Sequence, residues 1–147
     1  MKVLVTSDTH GRYSVLEKIA SLHKDKDLHI DAGDLLLTQK ELESLKLTAV
    51  KGNTDHFLEL PLQQIVTIDD KKWLIVHGHV QNVKYGLEKL VSYANTLQVD
   101  YVVYGHTHEP KLIKIDGITY LNPGAVSNIR PQYALYEDGK ITLIEGL

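Results

Sequence analysis

The order of the periodic segments along the chain is the feature that most limits its possible folds. Apolar strand-like runs first alternate with helix-like segments, and residues 85–97 show the clearest 3.6-residue spacing. After residue 110 the pattern changes to pairs of short strands joined at Asp116-Gly117 and Asp138-Gly139, which are typical hairpin turns. Helix-bearing units followed by antiparallel hairpins indicate an α/β protein with more than one sheet. We therefore predict a four-layer α-β-β-α sandwich with two packed mixed β-sheets.

The predicted elements cover most of the chain. Strands are predicted at residues 2–6, 28–32, 47–50, 65–69, 72–76, 101–104, 111–115, 118–121, 133–136 and 141–144. Helices are predicted at residues 13–22, 40–45 and 85–97. No repeat, linker or low-complexity segment separates them, and 147 residues suit one compact core, so we predict a single domain over residues 1–147.

Composition excludes several classes of function. The net charge is −3 and the only arginines are Arg12 and Arg130, so we expect no binding of long nucleic acids. The absence of cysteine excludes disulfides, iron–sulfur clusters and thiolate zinc sites. No run approaches the roughly 20 apolar residues of a membrane span, and the N-terminal apolar run is too short for a signal peptide. We expect a cytoplasmic protein without membrane contact, and a homo-oligomer is possible.

Five predicted strands end in glycine or another small residue beside a histidine, aspartate or asparagine. The motifs are Ser7-Asp8-Thr9-His10-Gly11, Gly33-Asp34, Gly52-Asn53, His77-Gly78-His79 and Gly105-His106-Thr107-His108. Each motif alone is compatible with an ordinary turn, but five of the eight histidines fall in these motifs. In open α/β sheets, ligands bind beyond the carboxyl ends of the strands. Imidazole and oxygen ligands without thiolate indicate a borderline divalent metal such as manganese, iron, zinc or nickel.

The order Asp-x-His, Gly-Asp, Gly-Asn, His and Gly-His-x-His resembles that of the calcineurin-like metallophosphoesterases. With Asn122-Pro123-Gly124 after the last motif, the chain is similar to the small single-domain phosphodiesterases of bacteria and archaea. The resemblance implies two divalent metal ions, with Mn²⁺ as the expected metal. The implied ligands of the first ion are Asp8, His10, Asp34 and His108, and those of the second are Asp34, Asn53, His77 and His106. Asp34 would bridge the ions, since a carboxylate can span two cations about 3.5–4 Å apart.

The resemblance implies a metal-dependent phosphodiesterase that acts on a small phosphodiester. In such a site a bridging hydroxide attacks phosphorus in line. His79 is expected to contact the substrate or to assist catalysis, Asn53 to assist catalysis as well as bind metal, and Arg12 to contact a phosphate oxygen. Two alternatives stay open: a nucleotide phosphatase or nuclease, and a non-catalytic protein-binding scaffold like the retromer subunit with this fold.

One position departs from the pattern of many superfamily members. They have a histidine after the Gly-Asn asparagine, which protonates the leaving group and is oriented by the following acidic residue. This chain has Thr54 and Asp55 there, and a threonine hydroxyl cannot act as a general acid near neutral pH. The small phosphodiesterase group similarly lacks the histidine. We therefore expect a preference for activated leaving groups, with Asp55 at the place of the orienting carboxylate. His23 and His29, outside the motifs, are predicted to be structural.

Overall fold

The computed structural model describes residues Met1–Leu147 and contains ten strands, three α-helices and one short 3₁₀ helix. The strands are β1 (Lys2–Thr6), β2 (Leu28–Asp31), β3 (Thr48–Ala49), β4 (Gln63–Ile68), β5 (Lys71–Val76), β6 (Tyr101–Val103), β7 (Lys111–Ile115), β8 (Ile118–Asn122), β9 (Gln132–Glu137) and β10 (Lys140–Glu145). The helices are α1 (Tyr13–Leu22), α2 (Gln39–Leu45), α3 (Glu88–Leu97) and the 3₁₀ helix Val83–Tyr85.

The strands form two five-stranded mixed sheets. The first has the order β10-β9-β1-β2-β3, in which β1, β2 and β3 are parallel and β9 runs antiparallel to its neighbours. The second has the order β4-β5-β6-β8-β7, in which β5, β6 and β8 are parallel and β4 and β7 complete antiparallel hairpins at the two edges. The hairpins predicted at Asp116-Gly117 and Asp138-Gly139 join β7 to β8 and β9 to β10.

The two sheets pack face to face with helices on both outer sides. Every second residue of a strand faces the same side, and Val3 and Val5 of β1 point into a buried cluster shared by both sheets. In this cluster Trp73 stacks on Tyr101, with ring centroids 4.2 Å apart. Leu4, between the two valines, faces α1 and α2 on the other side of the first sheet. A third cluster lies between the second sheet and α3. The predicted four-layer sandwich is confirmed.

Most element bounds agree with the sequence expectation to within one or two residues, but one helix and one strand are clearly shorter than predicted. The helix predicted at residues 85–97 begins at Glu88, because Gly86 has φ +125 and separates α3 from the 3₁₀ helix. The strand predicted at residues 47–50 is reduced to the two residues of β3. Helix α2 begins with a capping box between Thr38 and Glu41, as its sequence allows. No α-helix has the length and apolar composition needed to cross a membrane.

Hydrogen bonds between loops bring the strand ends of both sheets together. The backbone N–H groups of Asp8 and His10 donate to the carbonyls of Gly33 and Asp34, which joins the loops after β1 and β2. The N–H of Gly105 donates to the carbonyl of His77, which joins the loops after β5 and β6. The backbone N–H of His106 donates to the Asp8 carboxylate at 3.1 Å and joins the two pairs, so all four loops reach one edge of the sandwich.

Candidate metal centre

Six of the predicted metal ligands meet at this edge in two groups. The groups are Asp8, His10 and His108, and Asp34, His77 and His106, each with one candidate ligand atom per residue within 4.8 Å of the others. In the first group the Nε2 atoms of His10 and His108 are 3.2 Å apart. In the second group His77 Nε2 and His106 Nδ1 are also 3.2 Å apart. Ligand bonds of about 2.0–2.2 Å separate neighbouring ligand atoms by roughly 3–4 Å, so both groups fit a divalent ion.

The Asp8 carboxylate has one oxygen held by the protein and one directed at the histidines. Oδ2 accepts hydrogen bonds from the Ser7 hydroxyl at 2.6 Å and from the His106 backbone N–H at 3.1 Å. Oδ1 is buried without a hydrogen-bond partner and lies 3.2 Å from His108 Nε2 and 3.5 Å from His10 Nε2. Burial opposes ionisation, but contacts with His10 and His108 outweigh it and hold the Asp8 pKa well below its usual range. A buried, ionised and unpartnered oxygen is suited to binding a cation.

Asp34 lies between the two groups. Its Oδ2 is 3.2 Å from His77 Nε2 in the second group and 3.8 Å from His10 Nε2 in the first. Its Oδ1 accepts a hydrogen bond from the Thr54 backbone N–H at 3.0 Å. Burial acts to raise the Asp34 pKa, but the hydrogen bond and charge of His77 have the larger combined effect and lower the pKa to about 2. This position is the one that a bridging carboxylate requires.

The tautomer of His77 is fixed by a hydrogen bond of Nδ1, the ring nitrogen that faces away from the other ligands. Its Nδ1 lies 2.7 Å from the Ala32 carbonyl oxygen, which can only accept, so Nδ1 carries the proton. The lone pair of a neutral His77 ring is then on Nε2, the atom that faces Asp34 and His106. Metal-binding histidines characteristically have their second nitrogen bonded in this way.

The backbone at most of the candidate ligands is left-handed. Positive φ angles between 48° and 72° occur at Asp8, His10, Asp34, His106 and His108. This region disfavours residues with a side chain, costs about 1–3 kcal/mol per residue, and is concentrated at functional sites. The interlocked loops hold these conformations, and the resulting turns direct the side chains to one point.

Two glycines allow the backbone to approach the site carboxylates closely. A Cβ atom at Gly52 would clash with the Asp34 carboxylate, and one at Gly105 would clash with Ser7 Oγ and Asp8 Oδ2. Any side chain at either position would therefore displace a candidate ligand.

The expectation that Asp55 occupies the place of an orienting carboxylate is wrong. Asp55 is buried, and its carboxylate accepts four backbone hydrogen bonds, from Asp34 N (2.8 Å) and Gly52 N (3.0 Å) on Oδ2, and from Leu35 N (2.9 Å) and Leu36 N (3.0 Å) on Oδ1. Both oxygens are occupied by backbone amides and neither is available to a histidine at position 54. Asp55 instead ties the loop that carries Asp34 to the loop that carries Asn53.

The remaining predicted site residues, His79, Asn53 and Arg12, lie outside the two ligand groups. The His79 ring is half-buried, 5.5 Å from His77 and 6.3 Å from His106 between centroids, and its Nδ1 is buried without a partner. Burial, followed by the charge of His77, lowers the His79 pKa. Asn53 is exposed on the loop tied by Asp55. The exposed Arg12 guanidinium donates to the Ser127 carbonyl at 3.0 Å.

The histidines outside the motifs lie in neither group. His29 is buried in β2, with Nε2 2.8 Å from Thr6 Oγ1, and His23 ends α1 with Nε2 2.9 Å from the Tyr133 hydroxyl. The sequence motifs include Ser7 and Asn122, but sequence reasoning assigned neither a supporting role. Ser7 anchors Asp8, and the buried Asn122 donates to Gly105 O and Thr107 Oγ1 in the last histidine loop. Their places in the motifs were the available signal, but neither contact follows from strand or helix periodicity.

Comparison with known proteins agrees with this geometry. The sequence-family model of the calcineurin-like phosphoesterase superfamily domain matches residues 1–137 of this chain. The chain belongs to this superfamily. A probable metallophosphoesterase of Bacillus subtilis is 32% identical over 127 residues, covering 86% of this chain and 75% of the relative. A phosphodiesterase of Methanocaldococcus jannaschii is 33% identical over 144 residues, covering 84% of this chain and 83% of the relative.

Solved structures show the same calcineurin-like fold. A predicted phosphoesterase from Streptococcus pneumoniae superposes with a TM-score of 0.86 at 24% identity, covering 98% of this chain and 88% of that one. Vps29 of Entamoeba histolytica, crystallised with zinc, superposes with a TM-score of 0.77 at 24% identity, covering 99% and 98%. At these identities the likeness concerns the fold alone.

Proposed function

We propose that this calcineurin-like protein is a metal-dependent phosphodiesterase that cleaves small phosphodiesters at a dinuclear site. The observation that carries the proposal is the position of Asp34 between two groups of histidine and carboxylate ligands, 3.8 Å from His10 and 3.2 Å from His77. The relatives named as phosphoesterases and phosphodiesterases support the same reaction class. The protein would be cytoplasmic and act as a single domain.

The residues of the two groups would hold the ions together with Asn53. Asp8, His10, Asp34 and His108 would bind the first, and Asp34, Asn53, His77 and His106 the second. Mn²⁺ is our expected metal, and iron, zinc or nickel suit the same imidazole and carboxylate ligands. When bound, two such ions polarise a phosphoryl oxygen and lower the pKa of water.

Individual side chains of this chain would have separate roles in binding and catalysis. Asp8 and Asp34 are ionised at neutral pH and supply two negative charges in a largely buried site. The guanidinium of Arg12 would contact a phosphoryl oxygen. The half-buried His79 would contact the substrate and assist catalysis by positioning it. Thr54 offers no acid group, so the departing oxygen would leave with little protonation.

Two alternative functions make different demands on the same residues. A nucleotide phosphatase or nuclease would use the metal centre but release a poor leaving group. A protein-binding scaffold would need neither metal nor the left-handed ligand loops. Vps29, the neighbour that suggests this alternative, shares only the fold at 24% identity.

The proposal is tested by hydrolysis of bis(p-nitrophenyl) phosphate by protein loaded in turn with Mn²⁺, Zn²⁺ or Ni²⁺. We expect metal-dependent turnover that His108→Ala lowers by at least about tenfold, because a coordination position is opened. His56→Ala is the matched control, since His56 is exposed and lies in neither ligand group. Absence of turnover with every metal, despite two bound ions by elemental analysis, would favour the scaffold.

A further inference from the structure

A cavity of about 490 Å³ adjoins the metal centre on the side of the second sheet. It lies between the segment that contains the 3₁₀ helix and the end of β6, and its wall includes Val83, Leu87 and Tyr104. The volume is within the range of about 300–1,000 Å³ that small-molecule sites occupy. No residue of the two metal-binding groups is in its wall, so the cavity is separate from the metal positions themselves.

The cavity is built on the two loops that carry the histidines of the second sheet. Thr107, in its wall, lies between His106 and His108. On the opposite side, Gly78 lies between His77 and His79 and supports the 3₁₀ helix, because its carbonyl accepts the Val83 N–H at 3.2 Å. A Cβ at Gly78 would clash with the Val83 side chain. A phosphate ester bound at the histidines could therefore extend one arm into the cavity.

The charges of the cavity wall favour an anion. Lys84 and Lys111 are exposed and form no ion pair, and Glu109 is the only acidic residue in the wall. Two ammonium groups against one carboxylate leave a positive balance in a chain whose net charge is −3. Lysine binds carboxylate and phosphate groups as a point charge. The apolar residues of the wall would contact the carbon atoms of the arm.

We propose that this cavity is a subsite for an ester arm that carries its own anionic group, a carboxylate or a second phosphate. The inference rests on the proposed function, because the phosphate ester must be held at the metal centre. Lys84 and Lys111 attract the anionic group, and Glu109 opposes it. The preferred substrates would be phosphodiesters with a second negative charge one short chain away from the reacting phosphorus.

Binding of two phosphate monoesters of equal length tests the subsite without depending on turnover. Calorimetry on the metal-loaded protein would compare 3-carboxypropyl phosphate with butyl phosphate, which differ only in the terminal carboxylate. We expect tighter binding of the carboxylate ester, by roughly two- to fivefold for each lysine, the range of exposed ion pairs. Added salt should reduce the preference, because these lysines are exposed to solvent.

Three charge variants and one control give the expected pattern. Lys84→Gln and Lys111→Gln should each lower the preference ratio, and Glu109→Gln should raise it. Lys140→Gln, an exposed lysine at the start of β10, should leave the ratio unchanged. Equal affinities of the two esters, or a ratio that neither lysine substitution alters, would overturn the subsite alone. Failure of both esters to bind the metal-loaded protein would also overturn the subsite, whereas the proposed function is tested separately by turnover of bis(p-nitrophenyl) phosphate.

Discussion

Replacing Asp55 by asparagine removes one acceptor oxygen from the contact between two loops of the metal centre. The carboxylate accepts four backbone N–H groups, two on each oxygen, at 2.8–3.0 Å. An asparagine amide has one oxygen, so its NH₂ group would face two N–H donors that it cannot satisfy. The site is buried, and water cannot replace the lost acceptor.

The expected destabilisation follows from the number of donors left unpaired. Each buried unsatisfied N–H costs about 1–3 kcal/mol, so two of them lower the free energy of unfolding by about 2–6 kcal/mol. This is a large part of the roughly 5–15 kcal/mol that stabilises a typical domain. The same change should weaken metal binding, because the donors include the backbone N–H groups of Asp34 and of Gly52, the residue before Asn53.

Urea unfolding of the metal-free protein measures the first effect, and calorimetric metal titration measures the second. Asp116→Asn is the matched control, since Asp116 is an exposed turn residue with φ +51, a conformation that asparagine tolerates. A loss of stability below about 1 kcal/mol with unchanged metal affinity would refute the role assigned to Asp55.

Three further predictions concern the same edge of the sandwich. Asp34→Asn should weaken both metal ions, because a neutral amide is a poor bridge; elemental analysis showing two tightly bound ions would contradict the assignment. Because Thr54 supplies no acid, turnover of aryl diesters should exceed that of alkyl diesters by about 10²–10⁴-fold, and a flat series with rate-limiting chemistry would indicate another proton donor. Burial raises the Asp31 pKa to about 7, above its unfolded value, so this carboxyl should lower the stability of the metal-free protein as pH rises from about 4 to about 7. Asp31→Asn should remove that part of the pH dependence in urea unfolding, and identical profiles of variant and wild type would exclude Asp31 as its source.

Local sequence patterns were sufficient to predict the layers and to predict that the residues of the two candidate ligand groups follow strands. Strand alternation, the helix stripe of α1 and the Asp-Gly turns are set by neighbouring residues, and these elements appear at the expected places. The strand-end motifs predicted the site for the same reason, since each ligand follows directly after a strand. Because neighbouring parallel strands end at the same edge of a sheet, the residues that follow them are brought together there.

The contacts that hold the ligands in place could not be predicted in this way. Asp55 bonds to the N–H groups of Asp34 and Leu35, about twenty residues earlier in the chain, and only the folded arrangement brings them together. The start of α3 was missed because Leu87 and the residues before it continue the apolar spacing, although Gly86 has a backbone angle incompatible with a helix. The expected orienting role of Asp55 was wrong because it came from a resemblance to proteins with histidine at the preceding position.

The left-handed backbone at the candidate metal-binding positions has a consequence for how ions would enter and leave. Hydrogen bonds accepted by Asp55 and donated by Ser7 and Asn122 hold the loops that contain these residues. The conformational cost of arranging the ligands is therefore met when the chain folds, and an arriving ion has little further ordering to induce. Chelation should leave an assembled, vacant site, and one kind of divalent ion could replace another without unfolding. The metal found in the protein would then follow the supply of ions around it as much as the preferences of its ligands.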